Sequence, residues 1–459
     1  MEKVFCGTAF HTPERGVVEM LRDVTIVVDN NGTIQQVLDP NEPGAGAAQE
    51  RARQSGRFNG LGPTEVLIPG LVDLHIHAPQ WPQLGKALDA PLEAWLQKYT
   101  FPLESRYEDL EFAQEIYTDL VATLLANGTT TAVYFATIHV EASLLLARIC
   151  LERGQRAFVG KVAMDDKDQC PDFYRDASCE AGISETRAFI ERLRALAPEP
   201  DPLVQPIITP RFIPSCSNDL LEGLGRLASQ YDCRVQTHCS ESDWETAFVQ
   251  SRFGKTDTQV LADYGLLREG TILAHANFVC DEDLDLIRKN SSAVAHCPLS
   301  NVYFANAVFP LRTALDRGVR VGLGTDISGG YSASVLDACR HALIAGRMRN
   351  GGVDPTLPMD RRGIPGSTIS AAEAFWVATR GGAEALGINA GKFAPGQKFD
   401  AVSLDLAAPS SNLRIFPGFD SDADCFEKIA LNATRANISA VWVNGSQVCG
   451  TAPRTASMF

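Results

Sequence analysis

Three things are scarce in this sequence: positive charge, cysteines in pairs and long apolar runs. Each shortage closes a class of function. With 41 Lys and Arg against 56 Asp and Glu, the 459-residue chain carries a net charge of −15. No basic stripe interrupts that balance, which argues against a nucleic-acid partner, because binding a polyanion needs clustered cations to displace its counterions. No stretch approaches the roughly 18 consecutive apolar residues that span a bilayer, so no membrane association is expected. The first residues, Met1-Glu2-Lys3-Val4-Phe5-Cys6, lack the basic and apolar regions of a secretion signal. The twelve cysteines lie singly, with no C-x-x-C. They read as reduced thiols of a cytoplasmic protein, packed mostly as small hydrophobes. Low-complexity tracts and short repeats are also missing. What remains is a partner that is small, and neutral or locally paired with positive groups.

What is present begins with Asp73-Leu74-His75-Ile76-His77, which closes the apolar run Val66-Leu67-Ile68-Pro69-Gly70-Leu71-Val72. The run reads as a strand buried on both faces. Side chains alternate along a strand, so His75 and His77 share a face, roughly 6–7 Å apart at about 3.3 Å per residue. Two imidazoles so placed can hold one divalent metal.

Short β-rich runs then alternate with helical periods. The runs cover 66–77, 129–138, 156–164, 203–212, 234–239, 271–278, 292–298 and 320–326, with helices expected over 107–127, 184–197 and 219–231. Eight strands alternating with helices predict an α/β fold, a (β/α)8 TIM-like barrel. Strands are also expected over 23–28 and 33–37 around Asn30-Asn31-Gly32, and over 400–405 and 438–443 before the turn Asn444-Gly445. Neither end has enough core to stand alone. The two are therefore expected to pair into a small β-sandwich domain: 1–65 and 386–459, flanking a barrel over 66–385.

In such barrels chemistry sits at the C-terminal ends of the strands. His75 and His77 end the first strand and Arg211-Phe212 the fourth. His238 ends the fifth, with Glu241 three residues on, His275 ends the sixth and Asp326 the eighth. Three histidines and a carboxylate make a nitrogen-and-oxygen shell suited to zinc. A metal held there lowers the pKa of a bound water to about 7. Asp326 is placed to accept that water's proton, and Glu241 to carry it to the substrate. His275 is read either as a further ligand or as the group that orients the water.

His75-x-His77, His238, His275 and Gly324-Thr325-Asp326 resemble the amidohydrolase superfamily, metal-dependent barrels with a small β domain built from both chain ends. Residues 391–401 resemble that domain's returning hairpin. The resemblance narrows at Ala78-Pro79-Gln80, Trp95-Leu96-x-Lys98-Tyr99-Thr100-Phe101-Pro102, Tyr134-Phe135-Ala136-Thr137-Ile138-His139, Thr209-Pro210-Arg211-Phe212 and residues 324–332. These are similar to the branch of the superfamily that deaminates guanine. The resemblance implies one zinc ion per chain on His75, His77, His238 and Asp326. It implies a pocket for a free purine base made by Gln80, Arg211 and Phe212, with Glu241, His238 and Asp326 also touching the base. Glu241, Asp326 and His275 are implied to be catalytic, the products xanthine and ammonia, and the assembly a homodimer. Lysine-bridged members of the superfamily hold two metals through the fourth strand. That strand has no lysine here (Lys161 lies on the third), so one metal is expected.

Rival readings keep the metal site with another heterocycle in the pocket, such as cytosine, a triazine or an adenosine derivative, or make the chain a non-catalytic scaffold. His139-Val140-Glu141 mimics the start of a different deaminase signature but lacks its P-C-x-x-C. Cys239 is expected to face away from the metal, His11 and His341 to be structural, and His296 to line the pocket or brace the rim.

Overall fold

The structure, a computed structural model, describes residues 2–450. Its core is a closed barrel of eight parallel strands: Leu71–His77, Thr129–Phe135, Arg156–Gly160, Val204–Pro210, Arg234–Cys239, Thr271–His275, Ala293–His296 and Arg320–Leu323. Each strand pairs with the next in sequence, and Leu323 against Asp73 closes the ring. All eight coincide with runs expected from the sequence. They are all buried over most of their length, which is why they read as continuous apolar segments rather than alternating ones. Helices Leu110–Ala126, Cys179–Leu196 and Asn218–Gln230 pack outside the barrel. Their starts are set by Asp109, Ser178 and Ser217, whose side chains accept from backbone N–H groups of the first turn.

The expected strand over 66–77 is divided. Glu65–Pro69 belongs to the other sheet, between Lys3–Glu14 and Ala401–Asp405, and only Leu71–His77 enters the barrel. The divide falls at Pro69-Gly70. A side chain at Gly70 would put Cβ 2.2 Å from Thr130 Oγ1, so only glycine lets the chain cross there.

That other sheet is the small β domain of the termini. Its order runs Ser446–Gly450, Ile438–Val443, Ala401–Asp405, Glu65–Pro69, Lys3–Glu14, Val17–Val28, Ile34–Leu38, with Phe58–Gly60 beside Lys3–Glu14. Lys3–Glu14 was not expected from the sequence. Phe5 and Phe399 stack at 3.9 Å between ring centroids, with Trp442 edge-on to Phe5, so residues from both termini share one core. The buried pair Arg156–Asp400 ties the third barrel strand to that domain.

Candidate active site

The C-terminal rim of the barrel gathers the histidines. His75, His77, His238 and His275 are all buried, and in five of the pairs they form, the ring centroids lie 4.8 to 5.4 Å apart. His77 Nε2 lies 3.0 Å from His238 Nε2. Asp326 Oδ1 stands 3.1 Å from His75 Nε2 and 3.6 Å from His77 Nε2. Phe135 packs edge-on or tilted beneath three of the imidazoles at 4.8–5.0 Å, a dry floor on the second barrel strand.

Hydrogen bonds fix which ring nitrogen is free. His238 Nδ1 donates to the Arg211 carbonyl at 2.6 Å, and a carbonyl can only accept, so Nε2 keeps its lone pair. His275 Nδ1 donates to Asn301 Oδ1 at 2.9 Å, with the same result. Burial holds His75, His77 and His238 well below the usual imidazole pKa and lowers His275, which keeps all four neutral. A neutral imidazole is the form that ligates a metal. His75 Nε2 and His275 Nε2 are buried without a hydrogen-bond partner. Buried polar atoms are rarely left so, and nitrogen and oxygen donors within 4.8 Å of one another suit a divalent ion.

The backbone is bent to achieve this. His275 and Asp326 sit at φ of +72° and +49°, and Ser240 and Ala276 are also left-handed. Such conformations cost about 1–2 kcal/mol each and gather at functional sites. Backbone bonds hold them: Asp326 N to His75 O at 2.9 Å and Ala276 N to Cys239 O at 2.9 Å.

Glu241 stands 3.6 Å from His275 Nε2. Its N–H is held by Glu245 at 2.7 Å and its carbonyl by Asn277 at 2.9 Å. Burial, and then the Asp326 charge, push its carboxyl up to about 8. Burial also raises Asp326.

A cleft of about 420 Å³, counting its open mouth, lies over the cluster. His77, Gln80, Arg211, Phe212, His238, Glu241, Asp326 and an apolar lip where Trp95 meets Phe304 line it. All the residues expected to bind a base therefore share one cavity with His77, His238 and Asp326 of the expected metal ligands, while His75 lies outside its lining, against Asp326. His275 sits beneath the cleft and His296 deeper still, against Phe309, its pKa lowered by burial to about 3. Cys239 is buried in the outer core, as expected. Lys161 is buried and paired with Asp176. Glu141 is turned to the surface, where it pairs with Arg192. His11 sits in the small domain against Glu19 and the Phe393 N–H.

Two acids to which the sequence assigns no role stand at the site. Asp73 accepts from Thr325 N at 3.0 Å and Thr325 Oγ1 at 2.6 Å, latching the approach to Asp326 onto the first strand. Burial raises its pKa to about 7. Its signal was its place two residues before His75 in Asp73-x-His75-x-His77, although a register shift between Asp73 and Ile76 interrupts the alternation in the strand. Glu104 is fully buried and accepts both Nη groups of Arg211, at 2.6 and 3.1 Å, and Gln80 Nε2 at 2.9 Å.

A family model described as the amidohydrolase family matches residues 66–448. A probable guanine deaminase of Schizosaccharomyces pombe is 39% identical over 454 residues, covering 97% of this chain and 83% of the relative. The guanine deaminase of Homo sapiens is 37% identical over 452 residues, covering 97% and 96%. Among solved structures, guanine deaminase from C. acetobutylicum with bound guanine superposes with a TM-score of 0.86. It is 30% identical and covers 97% of this chain and 100% of that one.

Proposed function

This chain belongs to the amidohydrolase family, and we propose from that premise that it is a zinc-dependent guanine deaminase, releasing xanthine and ammonia. The observation that carries the reading is one cleft with two unlike walls. One is formed by His77, His238 and Asp326, with His75 3.1 Å from Asp326, and the other by a buried arginine braced by a carboxylate, with Gln80 beside it. The first suits hydrolysis, the second a planar base with polar edges.

His75, His77 and His238 through Nε2, and Asp326 through its carboxylate, would hold the metal. When bound, zinc supplies a Lewis acid that makes a water nucleophilic at neutral pH. The chain's own residues do the rest. Arg211 and Gln80 direct N–H groups at acceptors on the far edge of guanine, and Phe212 offers a ring face. C2 is thereby turned toward Glu241 and Asp326. His275, its Nδ1–H fixed on Asn301, orients the attacking water, and Asp326 draws on its proton. Glu241 passes that proton to a ring nitrogen, where it stays in xanthine, and the water's second proton goes to the amino group, which leaves as ammonia as the C2–N bond breaks and C2=O forms. With its carboxyl raised to about 8 by burial and by the Asp326 charge, Glu241 lies close enough to neutral pH for one group both to take and to give a proton.

A cytoplasmic setting accords with twelve unpaired cysteines. Among the described residues no helix is long and apolar enough to cross a membrane. A homodimer is expected, to be read from the mass in solution. The test of function is a spectrophotometric assay of guanine conversion to xanthine, with and without a chelator, beside cytosine and adenine. Chelator-sensitive turnover of guanine supports the reading; turnover of cytosine or adenine with none of guanine overturns it.

A further inference from the structure

Glu104 makes no contact with the rim histidines, yet its carboxylate collects three buried N–H donors: two from Arg211 and one from Gln80. The opposite end of the Gln80 amide accepts from Ser328 N at 3.1 Å. A carboxylate can only accept and a backbone N–H can only donate, so Gln80 is held with Nε2 toward Glu104 and Oε1 toward Ser328 from both sides. Arg211 spends one N–H of each Nη on Glu104 and stacks over Phe101, 5.0 Å from the ring centroid. Both residues line the cleft. What this wall has left for a ligand is the remaining N–H groups of Arg211 and of Gln80 Nε2, while Oε1 is already engaged. The pair Arg211–Glu104 is also neutral overall, which suits an uncharged base.

We propose that Glu104 is a specificity-determining positioning residue, locking Arg211 and Gln80 as a row of donors that accepts purines carrying an oxo group at C6 and rejects those carrying an amino group there. The inference rests on reading the cleft as a guanine site. A 6-amino group would set N–H against N–H in a buried, water-poor wall. A site built on such hydrogen bonds discriminates far more strongly than an apolar one, by up to about 10⁴-fold. The substitution Glu104→Gln leaves Gln80 held from one side only and gives Arg211 one acceptor where it had two.

The experiment compares kcat/KM for guanine and 2,6-diaminopurine in wild type, Glu104→Gln and Glu104→Asp. In Glu104→Gln, guanine kcat/KM is expected to fall about 100-fold, mainly through KM. The guanine-to-diaminopurine ratio is expected to fall at least about tenfold, because the amino analogue loses nothing it had. Glu104→Asp, which keeps the charge, should recover part of that ratio. A Glu104 that merely holds the fold together would lower both substrates alike, and an unchanged ratio with active wild type overturns the inference alone. Wild type inert on guanine overturns the underlying reading and the inference with it. Wild type serves by itself if the variants do not fold: 2,6-diaminopurine competing as tightly as guanine overturns the inference, and competing at least about tenfold more weakly supports it.

Discussion

Replacing Glu241 by glutamine should make the protein less active and more stable at once. Gln keeps the size of the side chain. The backbone of residue 241 stays held by Glu245 and Asn277, so the change removes the carboxyl and little else. Proton carriers of this kind supply about 10²–10⁴ in rate, or about 3–5 kcal/mol, so kcat should fall by that factor with metal content unchanged. Stability moves the other way. The folded carboxyl titrates at about 8 and the unfolded one at 4.5, so between these values the folded state binds the extra proton. Stability is then lost as pH rises from 4.5 toward 8. At pH 7.5 that is about three pH units, or an upper limit of about 4 kcal/mol, which the neutral amide does not incur. At about 2.1 cal/mol/K per residue over the chain, 4 kcal/mol corresponds to about 4 °C in Tm. The assay is thermal unfolding of chelated wild type and Glu241→Gln at pH 7.5 and pH 4.5, beside kcat for guanine with zinc restored. The variant should melt higher at pH 7.5, and the gap should close by pH 4.5. A variant with near-normal kcat, or one that melts no higher than wild type at pH 7.5, would refute the role given to this buried acid.

Arg211→Lys exchanges a fork that fits Glu104 for a point charge, while the backbone carbonyl that holds His238 is untouched. KM for guanine should rise about 10–100-fold with zinc content intact; a KM within twofold of wild type would contradict the pocket assignment. At Gly329 an added Cβ would lie 2.8 Å from Asp326 Oδ2. Gly329→Ala should therefore weaken zinc retention about 10–100-fold in chelator competition, and unchanged retention would take Asp326 out of the ligand set. His296 titrates at about 3 when folded and 6.5 when unfolded, so the unfolded state gains the proton first and stability falls as pH drops below 6.5. Between pH 7.5 and 5, His296→Gln should lose about 2 kcal/mol less than wild type in denaturant unfolding. Parallel pH curves for the two proteins would count against it.

The barrel was legible because two periods coincide: the apolar runs recur eight times, and the residues able to do chemistry fall at their ends. His238 and His275 could be placed on the rim without any knowledge of their partners. Where legibility failed, the cause was local. The apolar run from Val66 leads into Asp73–His77 without a polar break, and only Pro69-Gly70 betrays that the chain leaves one sheet for another. Lys3–Glu14 mixes polar and apolar residues on both faces, and the register shifts in its pairing with Val17–Val28 break any alternation. Glu104 ends the short helix Phe101–Glu104 in the long connection between the first two barrel strands, where a glutamate ordinarily faces water. Its burial arises only when that segment folds over the rim to meet Arg211, 107 residues away. Asp73, by contrast, stands two residues before His75, but a register shift between Asp73 and Ile76 hides from the sequence that it reaches Thr325 beside Asp326.

The central claim is a single metal held by His75, His77, His238 and Asp326 in front of a guanine pocket. Titrating fully chelated protein with zinc while following guanine turnover tests it most directly. The account predicts activity that is absent at the start and rises to a plateau at one zinc per chain. Full activity without metal, or a plateau at two, would contradict it.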